Sequence, residues 1–174
     1  MRVLIAGFGN VLRGDDGFGV DVLRRLGERG FASDSVELLD VGTGGIRLAQ
    51  ELTRSYDRLI IVDATTRGGT PGTLYTLAID SVTAAREIDM HTTMPSSALA
   101  VAKALGALPP EIFLVGCEPA EVDEFSIGLT PVVNDAAEAA VEQVRRLLGS
   151  HVAAHDCASH PTTGAARSKE DGAS

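Results

Sequence analysis

Three residues that are far apart in the chain have side chains that could together bind a divalent metal ion. Asp16 follows the first apolar run, Asp63 follows the apolar run at residues 58–62, and His91 precedes an Ala- and Leu-rich segment. Two carboxylates and one imidazole suit a hard to borderline divalent cation and would leave coordination positions open for water or substrate. These residues therefore predict a metal-recognition site.

Each of these side chains also has a structural alternative. Asp15 or Asp16 could cap the amino end of the helix that begins near Gly17, and one of the two is expected to do so. Asp63 could accept hydrogen bonds from backbone amides of the next loop, and His91 could be a surface residue. Only the joint placement of the three at the ends of predicted strands favours a functional site.

Apolar patterns predict the elements that would position these residues. Short apolar runs predict β-strands at residues 2–6, 35–39, 58–62, 73–77 and 111–117. Helical spacing of apolar residues predicts helices at residues 18–30, 46–54, 96–105 and 132–148. The alternation predicts an α/β fold: a single three-layer αβα domain with a mostly parallel twisted sheet, phosphorylase/hydrolase-like. Ligands bind at the carboxyl ends of such strands, where the three candidate ligands would converge.

Composition limits the domain organisation and the classes of partner. The 174 residues fit one domain at residues 1–149, followed by a small, polar and aperiodic segment, predicted to be a flexible tail, at residues 150–174. The formal net charge of -9 argues against nucleic acid and against a membrane as partners. The sequence has neither a signal-peptide pattern nor a run of membrane-spanning length, so we expect a cytoplasmic location.

Other catalytic and nucleotide-binding motifs do not match. A dinucleotide fingerprint needs the spacing G-x-G-x-x-G, but Leu12 stands where the third glycine after Gly7 and Gly9 is required. The chain has no nucleophile elbow and no HExxH motif, and Cys117 lies in an apolar run typical of an inert core thiol. Peptide cleavage would therefore have to use a metal ion as Lewis acid or as activator of water.

Several segments, in the same order, resemble the hydrogenase maturation protease family. The loop after the first strand is similar to the family pattern G-x-G-N-x-L-x-x-D-[DE]-x-x-G. The residues in register with it are Gly7, Gly9, Asn10, Leu12, Asp15, Asp16 and Gly19. The segments LLDVGTGG, LIIVDA, the loop with His91, and FLVGCEP with IGLTP extend the resemblance over about residues 1–148. Val41 replaces the first glycine of the family's L-D-G-G-T turn, which bears on the turn's shape because valine rarely adopts positive φ.

The resemblance implies an endopeptidase, of aspartyl or metal-dependent type, acting in hydrogenase maturation. Such an enzyme removes the C-terminal extension of a [NiFe] hydrogenase large-subunit precursor that already holds nickel. The nickel ion is then supplied by the substrate precursor, and no organic cofactor is implied. The resemblance assigns metal recognition and catalysis to Asp16, Asp63 and His91, and substrate binding to Asp40, Gly42 and Thr43.

Two other functions remain as alternatives. A non-catalytic metal-sensing or metal-chaperone module could use the same three ligands, but it would not shorten its partner protein. A nucleotide-binding α/β protein would show nucleotide affinity instead, and the missing third glycine counts against it.

Overall fold

The structure is a computed structural model that describes residues 1–79, 94–122 and 125–149. Its strands are β1 Val3–Phe8, β2 Val36–Gly42, β3 Arg58–Ala64, β4 Leu74–Ala78 and β5 Glu111–Cys117. Its helices are α1 Phe18–Glu28, α2 Gly45–Leu52, α3 Met94–Ala104 and α4 Pro131–Gly149, with a short 3-10 helix at Gly14–Gly17. The predicted tail at residues 150–174 lies outside the described residues.

The strands form one mostly parallel sheet in the order β2-β1-β3-β5-β4. β1, β2, β3 and β5 are parallel to their neighbours, and β4 pairs antiparallel with β5 at the edge. The chain passes from β1 to β2 on one side and then crosses back to β3 on the other side of β1. The carboxyl ends of β1 and β3 therefore lie next to each other at the point where the strand order reverses, the usual ligand site of such sheets.

Helices cover both faces of the sheet, so the predicted three-layer α/β architecture is confirmed. On one face the buried core includes Val22 of α1 and Val141 of α4 against Ile60 of β3. On the other face Leu52 of α2 and Leu99 of α3 pack with the remaining strand residues. Burial of this aliphatic surface on both faces is the main stabilising contribution of the fold.

β1 and β3 both extend two residues beyond their predicted ends. All seven residues of β3 are buried, and Asp63 lies inside the strand, paired in register with Gly116 of β5. The prediction that Asp63 follows the strand is therefore wrong. The apolar run ends at Val62, but backbone pairing with β5 continues past it and carries the carboxyl side chain into the buried layer.

Close backbone packing places α1 directly against β1 and β3. A Cβ atom on Gly19 would lie 2.2 Å from the carbonyl oxygen of Val62 and 2.4 Å from that of Phe8. A Cβ atom on Gly7 would lie 2.5 Å from the carbonyl oxygen of Gly19. Both positions therefore require glycine, and the contact brings the start of α1, with the acidic loop before it, onto the ends of these strands.

The described chain ends with α4 fastened to the sheet. The fully buried guanidinium of Arg58 donates a hydrogen bond to the carbonyl oxygen of Leu147 and forms an ion pair of 2.6 Å with Glu111. No helix within residues 1–79, 94–122 and 125–149 has the length and apolar character needed to cross a membrane.

Candidate functional site

Asp16 and Asp63 meet at the carboxyl edge of the sheet. Asp63 is 3% exposed near the end of β3, and Asp16 is partly buried in the 3-10 helix that follows β1. The pKa of Asp63 is raised to about 8, first by burial and then by the negative charge of Asp16, while one hydrogen bond from the Ala64 amide acts to lower it. The two predicted carboxylates are thus close enough in space to interact electrostatically.

The loop between β1 and Asp16 holds the Asp16 carboxylate in place. The amide of Asn10 donates a 3.0 Å hydrogen bond to Oδ2 of Asp16, and the Asn10 side-chain oxygen accepts one from the Leu12 amide. Gly9 has φ +127, and a Cβ atom there would lie 1.7 Å from the carbonyl oxygen of Asp16. Asn10 and Gly9 of the family-like motif therefore shape the loop that presents Asp16.

Asp15 has a structural role different from the predicted one. Its carboxylate is fully buried and accepts hydrogen bonds from the amides of Ala120 (2.8 Å), Glu121 (3.1 Å) and Thr130 (2.7 Å). The Thr130 hydroxyl donates a fourth hydrogen bond, of 2.9 Å. The expectation that Asp15 or Asp16 caps the helix is wrong, because the N-cap of α1 is Gly17 and both acids lie inside the preceding 3-10 helix. Local sequence contains no signal for these partners more than 100 residues away.

The predicted substrate-binding residues Asp40, Gly42 and Thr43 line a cavity of about 240 Å³ at the same edge. Asn10 and Val11 of the β1 loop form the opposite wall, so this cavity adjoins the loop that holds Asp16. The exposed Asp40 lies at the end of β2, where Arg47 donates a 2.8 Å hydrogen bond to its backbone carbonyl. The three residues are therefore in contact with one open space.

Val41 fits the turn without strain. The register of β1 with β2 steps from Gly7–Asp40 to Phe8–Gly42, so Val41 is the extra residue of a β-bulge. Its side chain is 6% exposed and joins the core, while the left-handed conformation falls on Gly42, with φ +58. The replacement of the family's glycine by Val41 is therefore compatible with this turn, because Gly42 is the residue that adopts the positive φ.

Glu118 organises the loop that follows β3. Burial acts to raise its pKa, but hydrogen bonds from the Arg67 amide (2.8 Å), the Tyr75 hydroxyl (2.8 Å) and the Gly68 amide (3.1 Å) lower it overall. The adjacent Cys117 is fully buried, and burial raises the pKa of its thiol to about 12. Cys117 is thus an inert core thiol, as predicted, and not a nucleophile.

His91, the third predicted ligand, lies outside the described residues. Within residues 1–79, 94–122 and 125–149 no group of three or more His, Cys, Asp or Glu side chains is arranged to hold an ion. The described part of the site is thus a carboxylate pair. Two interacting carboxylates, one of them desolvated, suit a cation, because a positive charge between them relieves both their repulsion and the cost of burial.

The chain is similar in sequence to hydrogenase maturation proteases. The family model HycI, described as hydrogenase maturation protease, matches residues 20–147. Hydrogenase expression/formation protein HupD of Rhodobacter capsulatus is 39% identical over 150 residues, covering 84% of this chain and 71% of the relative. Hydrogenase 2 maturation protease of Escherichia coli (strain K12) is 36% identical over 147 residues, covering 83% and 88%.

Solved structures give the same result. The hydrogenase maturating endopeptidase HybD from E. coli matches with a TM-score of 0.77 and 36% sequence identity, over 86% of this chain and 93% of that chain. A [NiFe] hydrogenase maturation protease HycI from Thermococcus kodakarensis KOD1 matches with a TM-score of 0.66 and 25% identity, over 86% and 93%. Likeness in sequence and likeness in fold therefore point to the same group of proteins.

Proposed function

The chain belongs to the hydrogenase maturation protease family, and we propose that it removes the C-terminal extension of a nickel-loaded [NiFe] hydrogenase large-subunit precursor. Membership makes it a peptidase of hydrogenase maturation, which is a hydrolase of protein substrates. In this proposal the nickel ion is part of the substrate, and the enzyme itself recognises it through Asp16, Asp63 and His91.

One observation carries the proposal: two interacting carboxyl groups lie at the edge of the sheet where β1 and β3 end. The charge of Asp16 acts on the buried Asp63, which lies in β3, and Asp16 lies in the 3-10 helix that follows the neighbouring strand β1. A substrate-borne cation is a natural ligand for such a pair. A site of this kind would admit the precursor only when it holds its metal, which gives a physical reason for processing after metal insertion.

The rest of the site would bind the polypeptide around the ion. The cavity of about 240 Å³ beside the Asp16 loop has room for part of an extended segment, with Asp40 and Thr43 as exposed polar groups on its wall. We propose that Asp40, Gly42 and Thr43 hold the precursor's C-terminal segment while the ion is held by the three ligands. Binding both parts of the substrate positions the scissile bond and lowers the entropic barrier to cleavage.

The direct test is the mass of a co-expressed large-subunit precursor, with and without this protein, in nickel-replete and nickel-free medium. We expect loss of the C-terminal extension only when both protein and nickel are present. An unchanged precursor mass in nickel-replete cells, across several candidate precursors, would contradict the proposal. It would favour the non-catalytic metal-sensing or metal-chaperone function, which direct metal titration of the purified protein would then test.

Site variants complete this test. Asp16→Asn, Asp63→Asn and His91→Ala should each abolish precursor processing, because each removes one proposed ligand of the ion. Asp34→Asn is the matched control, since Asp34 is an exposed carboxylate before β2, at the opposite edge of the sheet. A ligand variant that processes at the rate of the Asp34→Asn control would remove that residue from the site.

A further inference from the structure

Two loops beside the site expose an unusual amount of apolar side chain. Phe125 and Ile127 are each 80% exposed, and Val11 and Leu12 are 49% and 42% exposed. We call these four residues the apolar patch. Single exposed apolar residues are common on proteins, but a contiguous group of large ones more often marks a surface that binds another molecule.

The two loops of the apolar patch are bound to each other by backbone hydrogen bonds. The Ser126 amide donates to the carbonyl oxygen of Leu12 (3.1 Å), and the Gly14 amide donates to the carbonyl oxygen of Ser126 (2.8 Å). The buried Asp15 carboxylate adds bonds to residues 120, 121 and 130 on either side. Phe125 and Ile127 therefore flank a residue whose backbone is hydrogen-bonded to the loop that carries Val11 and Leu12.

The apolar patch is continuous with the candidate site. Val11 and Ile127 line an apolar cavity of about 210 Å³, together with Val20 and Leu129. Val11 and Val20 also line the cavity that contains Asp40 and Thr43. A peptide segment bound in the cavity that contains Asp40 and Thr43 could thus pass directly onto the apolar patch. The 3-10 helix with Asp16 lies between the same loops.

The charge around the apolar patch defines the chemistry of its partner. Asp16 and Glu121 are acidic side chains of the two loops that are not fully buried, and the exposed Asp40 lies on the wall of the adjoining cavity, while Arg13 is the basic residue of the first loop. Arg24, the basic residue on the wall of the apolar cavity, is already paired with Asp21 at 2.8 Å and Glu28 at 2.5 Å. A partner segment that complements this surface combines apolar side chains with positive charge.

We propose that the apolar patch is the docking surface for the precursor segment next to the cleaved bond, and that this segment is apolar and basic. The inference rests on the proposed function, because that function supplies the partner whose chain must cross this surface. Binding of Phe125 and Ile127 would contribute affinity for the precursor, while the ion-binding residues act on the bond to be cut. The patch thus has a role in recognition that is separable from cleavage.

The test compares the double variant Phe125→Ser/Ile127→Ser with Leu105→Ser, using the purified nickel-loaded large-subunit precursor. Leu105 is a matched control because it is 60% exposed and follows α3, at the opposite edge of the sheet from the site. Precursor dissociation constants and the kcat and KM of processing are measured for each protein. We expect the double variant to raise KM and Kd about 10-fold or more with kcat within about 2-fold, and Leu105→Ser to change neither.

Charge is tested separately with Glu121→Lys, which alters an exposed side chain at the edge of the loop. We expect it to raise KM by about 3-fold or more, with an effect that shrinks as NaCl concentration rises. An unchanged KM in Glu121→Lys would overturn the basic character assigned to the partner segment.

The outcomes separate this inference from the proposed function. Processing by the wild-type protein with an unaltered KM in the double variant would overturn the docking surface alone. Wild-type binding without cleavage, weakened in the double variant, would support the docking surface and refute the endopeptidase. A wild-type dimer in sedimentation that becomes monomeric in the double variant would assign the apolar patch to a second copy of this chain and overturn the inference.

Discussion

Asp15 and Asp16 are adjacent carboxylates with different functions. The 3-10 helix directs Asp15 inward, where four hydrogen bonds satisfy its buried oxygens, and leaves Asp16 partly exposed beside Asp63. The first acid stabilises a loop contact, and the second supplies charge to the candidate site. Both residues are aspartates, so the difference in their burial comes from the direction in which the backbone points each side chain.

The raised pKa of Asp63 predicts that the stability of the folded protein depends on pH. Its pKa is about 8 in the folded protein against an ordinary value of 3.8, so the folded state keeps a proton that the unfolded chain loses. Stability should therefore fall as pH rises from about 4 to about 8, with a slope of up to about 1.4 kcal/mol per pH unit, and level off above. Asp63→Asn should be more stable than the wild type by a margin that grows from about pH 5 to about pH 8 and is then constant, measured by urea unfolding.

Two controls accompany this measurement. Asp34→Asn should retain the wild-type slope, because Asp34 is exposed. Asp16→Asn should lower the pH at which the free energy of unfolding stops decreasing, since the Asp16 charge contributes to the raised pKa of Asp63. A slope that is identical in wild type and Asp63→Asn would show that Asp63 titrates normally in the folded state.

Most element types followed from local patterns, but the buried row of α1 differs from the predicted spacing. Val20, Leu23 and Leu26 predicted this helix, whereas Phe18, Val22 and Leu26 are its fully buried row. Val20 is only partly buried and lines both cavities of the site. The helix begins at Phe18, so the steps of four residues from there set the face that packs on the sheet.

The close packing of Gly19 in α1 against the sheet leads to a prediction about stability. Gly19→Ala should lower the free energy of unfolding by about 2–3 kcal/mol, because its Cβ would overlap backbone oxygens of Val62 and Phe8 that cannot move aside. Gly27→Ala in the same helix is the matched control. Its Cβ would meet only Leu38 at 3.6 Å, so it should raise stability by about 0.5–1 kcal/mol. Equal effects at both positions, measured by urea unfolding, would contradict the close contact.

α4 is packed on the sheet up to its last turn. The helix buries Val133, Val141 and Val144 in the core, and Arg58 binds the carbonyl oxygen of Leu147 near its last turn. These contacts lie before residue 150, where the predicted tail begins. We therefore expect the stability of the domain to be independent of residues 151–174.

Truncation tests this boundary. Deleting residues 151–174 should leave the free energy of unfolding within about 0.5 kcal/mol and precursor processing within about 2-fold of the full chain. Urea unfolding and the precursor mass assay are the two measurements. Loss of processing in a truncated protein that still folds would show that the tail has a function.

The fold was largely predictable because apolar periodicity is a local property. Apolar runs such as residues 58–62 predict strands wherever they occur. The alternation of these strands with helices limits the sheet to a few possible chain topologies. Strand ends were less predictable: Asp63 remains in β3 because backbone pairing with β5, some 50 residues later, outweighs the polarity of its side chain. The site prediction placed Asp16 and Asp63 at the correct edge, while the place of His91 stays a prediction.

The sequence by itself determined the chemical types available, the order of the elements and the edge of the sheet where Asp16 and Asp63 lie. Tertiary structure alone decided which acid is buried, that Asp15 binds a loop 105 to 115 residues away, and that Ile127 lines one cavity with Val11. The physical reason is the sequence separation over which each effect acts. Periodicity and turn chemistry act over a few residues, whereas burial, pKa and surface continuity depend on segments brought together only when the sheet assembles.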